Sequence, residues 1–486
     1  MKTLLLRPFV DSYIGIIPPS SIMYLSSYLK SRGKDASLID TCACRSSLGQ
    51  LDRENPFIIK LLNDISMHSP DIIGMTLFSR ELTDIASICK IIKSNFKKIY
   101  IVLGGPHSTV MPQETLEQIP ECDFVVRGDG EKIFDNLIEA LSEGLDLKTV
   151  KGVSYRRKED RVIMHNEDDE IIEDLDSLPF PDRISVMDNY KDIKYSSLFY
   201  GSPSDAVISS RGCVYQCYFC YKVCKRYRSR SPENVFEEIM YIVKNVSPKS
   251  IQIMDDSFTL ERERCVKILD LIIKEKLYCR FKVRSRVNAV DKELLKKMKK
   301  AGVDAIVYGL ESGSDYMLKA FNKKTTAEEN VTACRLTKEA GINCYGGMIL
   351  FYPGESEDTI KETLKFIDRA KPDLVRFNVL CPFPGTPVYN EAKLNGNLVG
   401  DWGVNMKEPW VRIKDFKDIN EMSRITVQLS KKDQRRPRRI FFILKLFIRQ
   451  FLKDPASFSK LLFRLIAFML PYRKWKIYYV KSYPII

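Results

Sequence analysis

At 486 residues the chain is too long for one ordinary domain and predicts two or three. Its 44% hydrophobic and 29% charged content excludes a disordered chain. Thirteen cysteines without a pairing pattern, and no signal peptide ahead of the first strand, predict free thiols in a reducing cytoplasm. The formal charge of +14 is lopsided, because residues 431–486 carry fifteen Lys and Arg against two acids, Asp433 and Asp454. The body before them is near neutral, so no nucleic-acid partner is expected.

Residues 1–145 alternate strand and helix. Lys2 to Leu6, Ala36 to Asp40, Asp71 to Leu77, Lys98 to Leu103 and Asp123 to Val126 read as buried strands, with a helix over Ser20 to Arg32 between the first two. That alternation predicts a doubly wound, Rossmann-like α/β sheet with its ligand at the carboxyl ends of the strands. Polar and glycine-rich loops fall there: Pro18-Pro19-Ser20, Thr76-Leu77-Phe78-Ser79, Gly104-Gly105-Pro106-His107 and Arg127-Gly128-Asp129-Gly130-Glu131. Glycines at such places let the backbone approach a large ligand closely, though any doubly wound sheet also needs glycines at its turns. Residues 146–195, with an acidic run and Leu178-Pro179-Phe180-Pro181-Asp182-Arg183, read as a linker.

The densest chemistry follows a short apolar run, Ala206 to Ile208. Ser210-Arg211-Gly212-Cys213-Val214-Tyr215-Gln216-Cys217-Tyr218-Phe219-Cys220 places three cysteines in a C-x3-C-x2-C spacing. Three thiolates on one loop hold three corners of a [4Fe–4S] cube and leave the fourth iron open to a small molecule. A zinc site is the plainer alternative, but it usually needs a second ligand pair; only Cys224 is near, and no histidine. Strand–helix units then repeat: Ser250 to Met254, Phe281 to Arg286, Ala305 to Glu311, Cys344 to Leu350 and Leu374 to Val379. Six such units predict a partial (β/α)6 barrel over residues 196–395, with active groups at strand carboxyl ends.

The cysteine loop, including Phe219 ahead of the third cysteine, resembles the radical S-adenosylmethionine (SAM) superfamily. The loops IVLGGPH and DFVVRGDGE, with the LDSLPFPDR connector, resemble the cobalamin-binding domain that precedes many of its barrels. Together the resemblance covers roughly residues 1–395. It implies that Cys213, Cys217 and Cys220 hold a [4Fe–4S] cluster and that SAM meets Phe219, Asp255, Asp256, Arg286, Glu311 and Gly347. Thr76, Ser79, Gly104, Gly105, Pro106, His107, Gly128 and Glu131 would line cobalamin. The D-x-H-x-x-G signature of a lower histidine ligand is absent, which implies a His-off corrinoid with His107 against its edge. A domain that keeps the fold without the cofactor is the alternative. Phe351 stands where the family often has glycine before Pro353-Gly354-Glu355, which puts the adenine contact there in doubt.

The resemblance implies methylation of an unactivated carbon. One SAM methylates the cobalamin and a second is cleaved to a 5′-deoxyadenosyl radical, with an external flavodoxin or ferredoxin as electron donor. Radical cyclisation, ring contraction or carbon–carbon coupling without methyl transfer is the first rival, and a non-catalytic corrinoid sensor or carrier the second. In the extension 396–486, Ile440 to Leu452 and Phe458 to Leu470 read as two short basic amphipathic helices. They suit either the inner surface of a membrane, which would favour a lipid substrate over another small molecule, or a helical cap on the barrel.

Overall fold

The computed structural model describes residues 1–434, less 11–14, 158, 170, 193–194, 198–202, 223, 225, 278 and 405–408. The two tail stretches read as amphipathic helices, Ile440 to Leu452 and Phe458 to Leu470, lie outside the described residues. The N-terminal alternation folds into strands β1 (Lys2–Arg7), β2 (Asp35–Asp40), β3 (Ile72–Thr76), β4 (Tyr100–Gly104) and β5 (Phe124–Val126). They form a parallel sheet in the order β2-β1-β3-β4-β5. Consecutive residues of β1 feed opposite cores: Leu4 and Leu6 pack on one face, Leu5 on the other, and all three are fully buried. Such two-sided burial explains why these strands read as unbroken apolar runs. The strand order reverses at β1 and β3, which opens a crevice above their carboxyl ends.

The sheet runs on past residue 145. Val153–Arg156 (β6) and Ile163–His165 (β7) add two antiparallel strands beside β5, so the first part of the expected linker belongs to this domain. Four- and three-residue strands in a charged hairpin give too little periodicity to recognise. The second part is pinned by buried ion pairs. Arg183, 1% exposed, donates from Nε to Asp205 (2.9 Å) and from Nη2 to Glu238 (2.7 Å), anchoring the connector to the next domain.

That domain is an open six-stranded parallel barrel in sequence order: β8 (Ser204–Val207), β9 (Ser250–Ile253), β10 (Arg280–Ser285), β11 (Val303–Glu311), β12 (Asn343–Leu350) and β13 (Leu374–Val379). Alternation sorts its side chains. Phe281, Val283, Ile306, Tyr308, Cys344 and Phe377 point to the helical coat, while Ala305, Val307, Tyr345 and Leu374 meet on the inner face. The extension does not begin at 396 as a separate unit. Val411, Ile413, Phe416 and Met422 are buried in the barrel core, and the helix Ile419–Gln434 packs on β13, covering the edge an open barrel leaves. No helix among the described residues is long and apolar enough to cross a membrane.

Candidate active site

The cysteine loop leaves β8 and is tied at its neck by a two-residue antiparallel pairing of Ser210–Arg211 with Arg228–Ser229. Gly212 turns the chain at φ +86°, where a Cβ would sit 2.4 Å from the Arg226 carbonyl oxygen, so only glycine fits. The loop is then held from outside. Asn322 donates from Nδ2 to the Gln216 carbonyl (2.7 Å), Tyr218 N donates to the Phe321 carbonyl (3.0 Å), and Phe219 packs edge-on against Phe321 at 5.5 Å. Cys217 is buried, Cys213 half-buried and Cys220 exposed. Loss of solvation, with the charges of Asp256 and Cys217, raises Cys213 above the usual thiol range. Among the described residues no three His, Cys, Asp or Glu side chains are grouped as they would be around a single ion.

The two aspartates after β9 divide the work. Asp255, 1% exposed, accepts from the backbone N–H groups of Ser209 (2.7 Å) and Ser210 (3.0 Å) and from Ser209 Oγ (2.5 Å). Both of its oxygens are spent holding the start of the cysteine loop, which leaves Asp256 as the acid open to a ligand. Asp256 faces solvent at the mouth of the barrel, and partial desolvation together with Asp255 raises its pKa against the pull of Arg284.

Arg286, at the end of β10, is buried. Its Nη1 donates to Cys217 Sγ (3.7 Å), its Nη2 donates to the Lys323 carbonyl, and its guanidinium lies 3.6 Å over the Tyr215 ring. Its Nε is buried without a partner. Glu311, at the end of β11, accepts from Lys323 Nζ at 3.0 Å, both side chains being 7% exposed. Gly309 makes the pair possible, since a Cβ there would fall 2.3 Å from Glu311 Oε1. Gly347 lies in register between Gly309 and Arg376 on neighbouring strands. Two residues at strand ends have positive φ without being glycine: Glu311 (+62°) and Phe351 (+64°). The conformation at 351 explains why glycine suits that position. Here a buried Phe351 takes it, packed edge-on against Phe416 at 4.8 Å, which offsets about 1–2 kcal/mol of backbone cost.

Above the N-terminal sheet the loops form a cradle. Gly105 (φ +88°) presses against Thr76, where a Cβ would sit 2.6 Å from Cγ2, and Gly128 (φ +84°) has nothing within 4 Å of a built Cβ. Gly104 accepts at its carbonyl from Leu77 N (2.8 Å), and Phe78 stands 40% exposed beside it. His107 is 1% exposed and shares a 2.9 Å hydrogen bond between Nδ1 and Ser79 Oγ. Burial lowers its pKa to about 4, so it is neutral at ordinary pH and fixed to the loop.

Glu131 has a different task from lining this cradle. Buried, it accepts from Arg211 Nη2 at 2.5 Å, while Asp129 accepts from Arg211 (3.2 Å) and from Arg228. Arg211 and Arg228 are the two strands of the cysteine loop's neck, so two acids of one domain grip the base of the other's loop. Tyr221, just past Cys220, donates to the Pro106 carbonyl, and Gly385 lies so close to Val110 that a Cβ would meet it at 2.5 Å. None of Arg211, Arg228, Tyr221 or Lys323 was marked by the sequence, since each acts through a partner more than ten residues away.

The residues fit the groups the motifs imply. A loop of three thiols with an arginine aimed at one of them suits an iron–sulfur cluster. The unpartnered Arg286 Nε, the free Asp256 carboxyl and the glycine-cleared Glu311 suit an amino acid's carboxylate and ammonium. The glycine-lined cradle beside Phe78 suits a flat macrocycle. The comparisons agree. Residues 207–367 match the model of the radical SAM superfamily, and residues 6–138 match that of the B12 binding domain. The uncharacterized methyltransferase PH0819 of Pyrococcus horikoshii is 31% identical over 427 residues, 86% of this chain and 89% of that one. This chain is a radical SAM enzyme with a B12-binding domain. An anaerobic magnesium-protoporphyrin IX monomethyl ester cyclase of Rubrivivax gelatinosus is 29% identical to this radical SAM enzyme, over 80% of this chain and 70% of that one. Among solved structures, the cobalamin-dependent SAM radical enzyme OxsB with aqua-cobalamin bound superposes at TM-score 0.72 with 21% identity, covering 96% of this chain and 75% of that one. The radical SAM methyltransferase TsrM of Kitasatospora setae, with cobalamin and a [4Fe–4S] cluster bound, superposes at 0.68 with 18% identity, covering 82% and 81%.

Proposed function

We propose that this radical SAM enzyme is a cobalamin-dependent methyltransferase acting on an unactivated carbon of a small-molecule substrate. When bound, the cluster and SAM supply a 5′-deoxyadenosyl radical and cobalamin a transferable methyl group. The observation that carries the reading is the grip of Asp129 and Glu131 on Arg211 and Arg228. It fixes the cysteine loop of one domain against the cradle of the other. Proximity of two bound groups is the main catalytic contribution such a scaffold supplies.

The side chains then have distinct duties. Cys213, Cys217 and Cys220 would hold the cluster, and Arg286, placing positive charge beside Cys217, would favour the cluster's reduced state when an external flavodoxin or ferredoxin supplies the electron. Asp256 and the Arg286 Nε would orient the two ends of the SAM methionyl group, and Glu311, held by Lys323, its ribose side. His107 is neutral, buried and bound to Ser79, so it would shape the cradle without binding cobalt. Thirteen free cysteines suit a cytoplasmic setting.

Anaerobic assays with SAM, reductant and a candidate substrate, with and without cobalamin, test the reading by product mass. A product one methyl group heavier, formed only with cobalamin, is expected. The Rubrivivax relative favours one other reading, radical cyclisation. A product of unchanged carbon count would select it.

A further inference from the structure

The inner face of the barrel carries charge that neither the cluster nor the SAM duties use. On β10 the core-facing Phe281 and Val283 alternate with Lys282 and Arg284, which lie on the inner face. On β13, Val375 and Phe377 face the core, while Arg376 shares the inner face with Leu374. Lys282 and Arg284 are half-buried, and neither side chain makes a hydrogen bond or ion pair with a described residue; Arg284 Nη1 is buried and has no partner. The nearby acids make no direct pair with them. Asp255 is consumed by Ser209 and Ser210, Glu311 by Lys323, and Asp256 sits at the solvent-facing mouth. Burial, with the charges of Arg284 and Arg376 beside it, pushes Lys282 down to about 8. Burial likewise lowers Arg284, against the pull of Asp256.

A cation withdrawn from water beside other cations, without an ion-pair partner, is destabilising, so its place in the fold calls for a reason beyond packing. We propose that Lys282 and Arg284, within the field of Arg376, bind an anionic group of the substrate, a phosphate or carboxylate, inside the barrel below the cysteine loop. An oxyanion there would take up Arg284's spare donor and pair with the ammonium by charge-assisted hydrogen bonds. The inference rests on the barrel being the active site, and it names the class of substrate that site takes. The same chemistry has a second source, the carboxylate of SAM itself.

Equilibrium titration of the full-length anaerobic protein with inorganic pyrophosphate, at saturating SAM, separates these. The readout needs no turnover, so it stands or falls independently of methyl transfer. Lys282→Met and Arg284→Met should each weaken pyrophosphate binding by about tenfold or more, and Lys282→Arg should stay within about threefold. SAM affinity should change by less than about twofold in all three. Lys282→Met should also raise the Tm of the ligand-free protein, because it removes an uncompensated buried charge. A residue with a purely structural role would lower it. Pyrophosphate binding unchanged in both methionine variants, as binding at the basic tail would give, overturns the proposal. SAM affinity falling in parallel also overturns it, by assigning the cations to SAM. A lowered Tm with unchanged binding returns Lys282 to a structural role.

Discussion

The two domains furnish their strand ends in opposite ways. At the strand ends of the N-terminal sheet the cradle is made of backbone and shape. It has Gly104, Gly105 and Gly128, an exposed Phe78, and one histidine that burial keeps neutral. At the strand ends of the barrel almost every turn brings a charge: Asp255, Asp256, Arg286 and Glu311, with Lys282 and Arg284 behind them. The difference suits the groups each is proposed to hold. A corrinoid that brings its own metal needs room and flat contact, whereas an amino acid cofactor and a charged cluster need counter-charges placed singly. Asp129 and Glu131 break the rule for the N-terminal side, and they do so because they serve the other domain.

That contrast can be broken at its strongest points first. Replacing Cys217 with Ala should abolish SAM cleavage, with bound iron at background and cobalt retained, as read by metal analysis. Next in size is the grip between domains. Arg211→Met leaves Glu131 buried and unpaired, at a cost of about 3–5 kcal/mol in chemical denaturation, and Arg211→Lys should recover part of it. The cradle should be more tolerant. Gly105→Ala at φ +88° costs about 1–3 kcal/mol locally and should lower cobalt per chain while leaving iron unchanged.

The most gradual effect is a pH dependence. Burial raises Glu355 from 4.5 to about 7, so between those values the folded chain holds a proton the unfolded chain has released. Stability from this group is therefore present below about 4.5, falls as pH rises toward 7, and is flat beyond, a difference on the order of 3 kcal/mol. Glu355→Gln should flatten the Tm profile over that range; an unchanged profile would remove the group from the account.

Much of this was legible from the chain. Unbroken apolar strands, a three-cysteine loop and acids at strand ends are local signals, and each falls where the spacing puts it. The departures share one cause, long-range pairing. Nothing near Glu131 indicates that its carboxylate faces Arg211, and nothing near Asp255 indicates that Ser209 and Ser210 use both its oxygens. The hairpin Val153–Arg156 with Ile163–His165 is too short to show a period. The stretch 396–434 reads as an extension because its apolar residues are sparse, yet Val411, Ile413, Phe416 and Met422 complete the barrel core. Phe351 was visible as an anomaly, and its positive φ, supported by Phe416, supplies the reason.

The most direct test is the metal content of the protein after anaerobic purification with a cobalamin supply. Two cofactors held face to face predict about four irons and one cobalt per chain, with cobalt lost in Gly105→Ala and iron lost in Cys217→Ala. Four irons without cobalt would contradict the account, leaving the N-terminal domain a scaffold and the chemistry that of a radical enzyme without a methyl carrier.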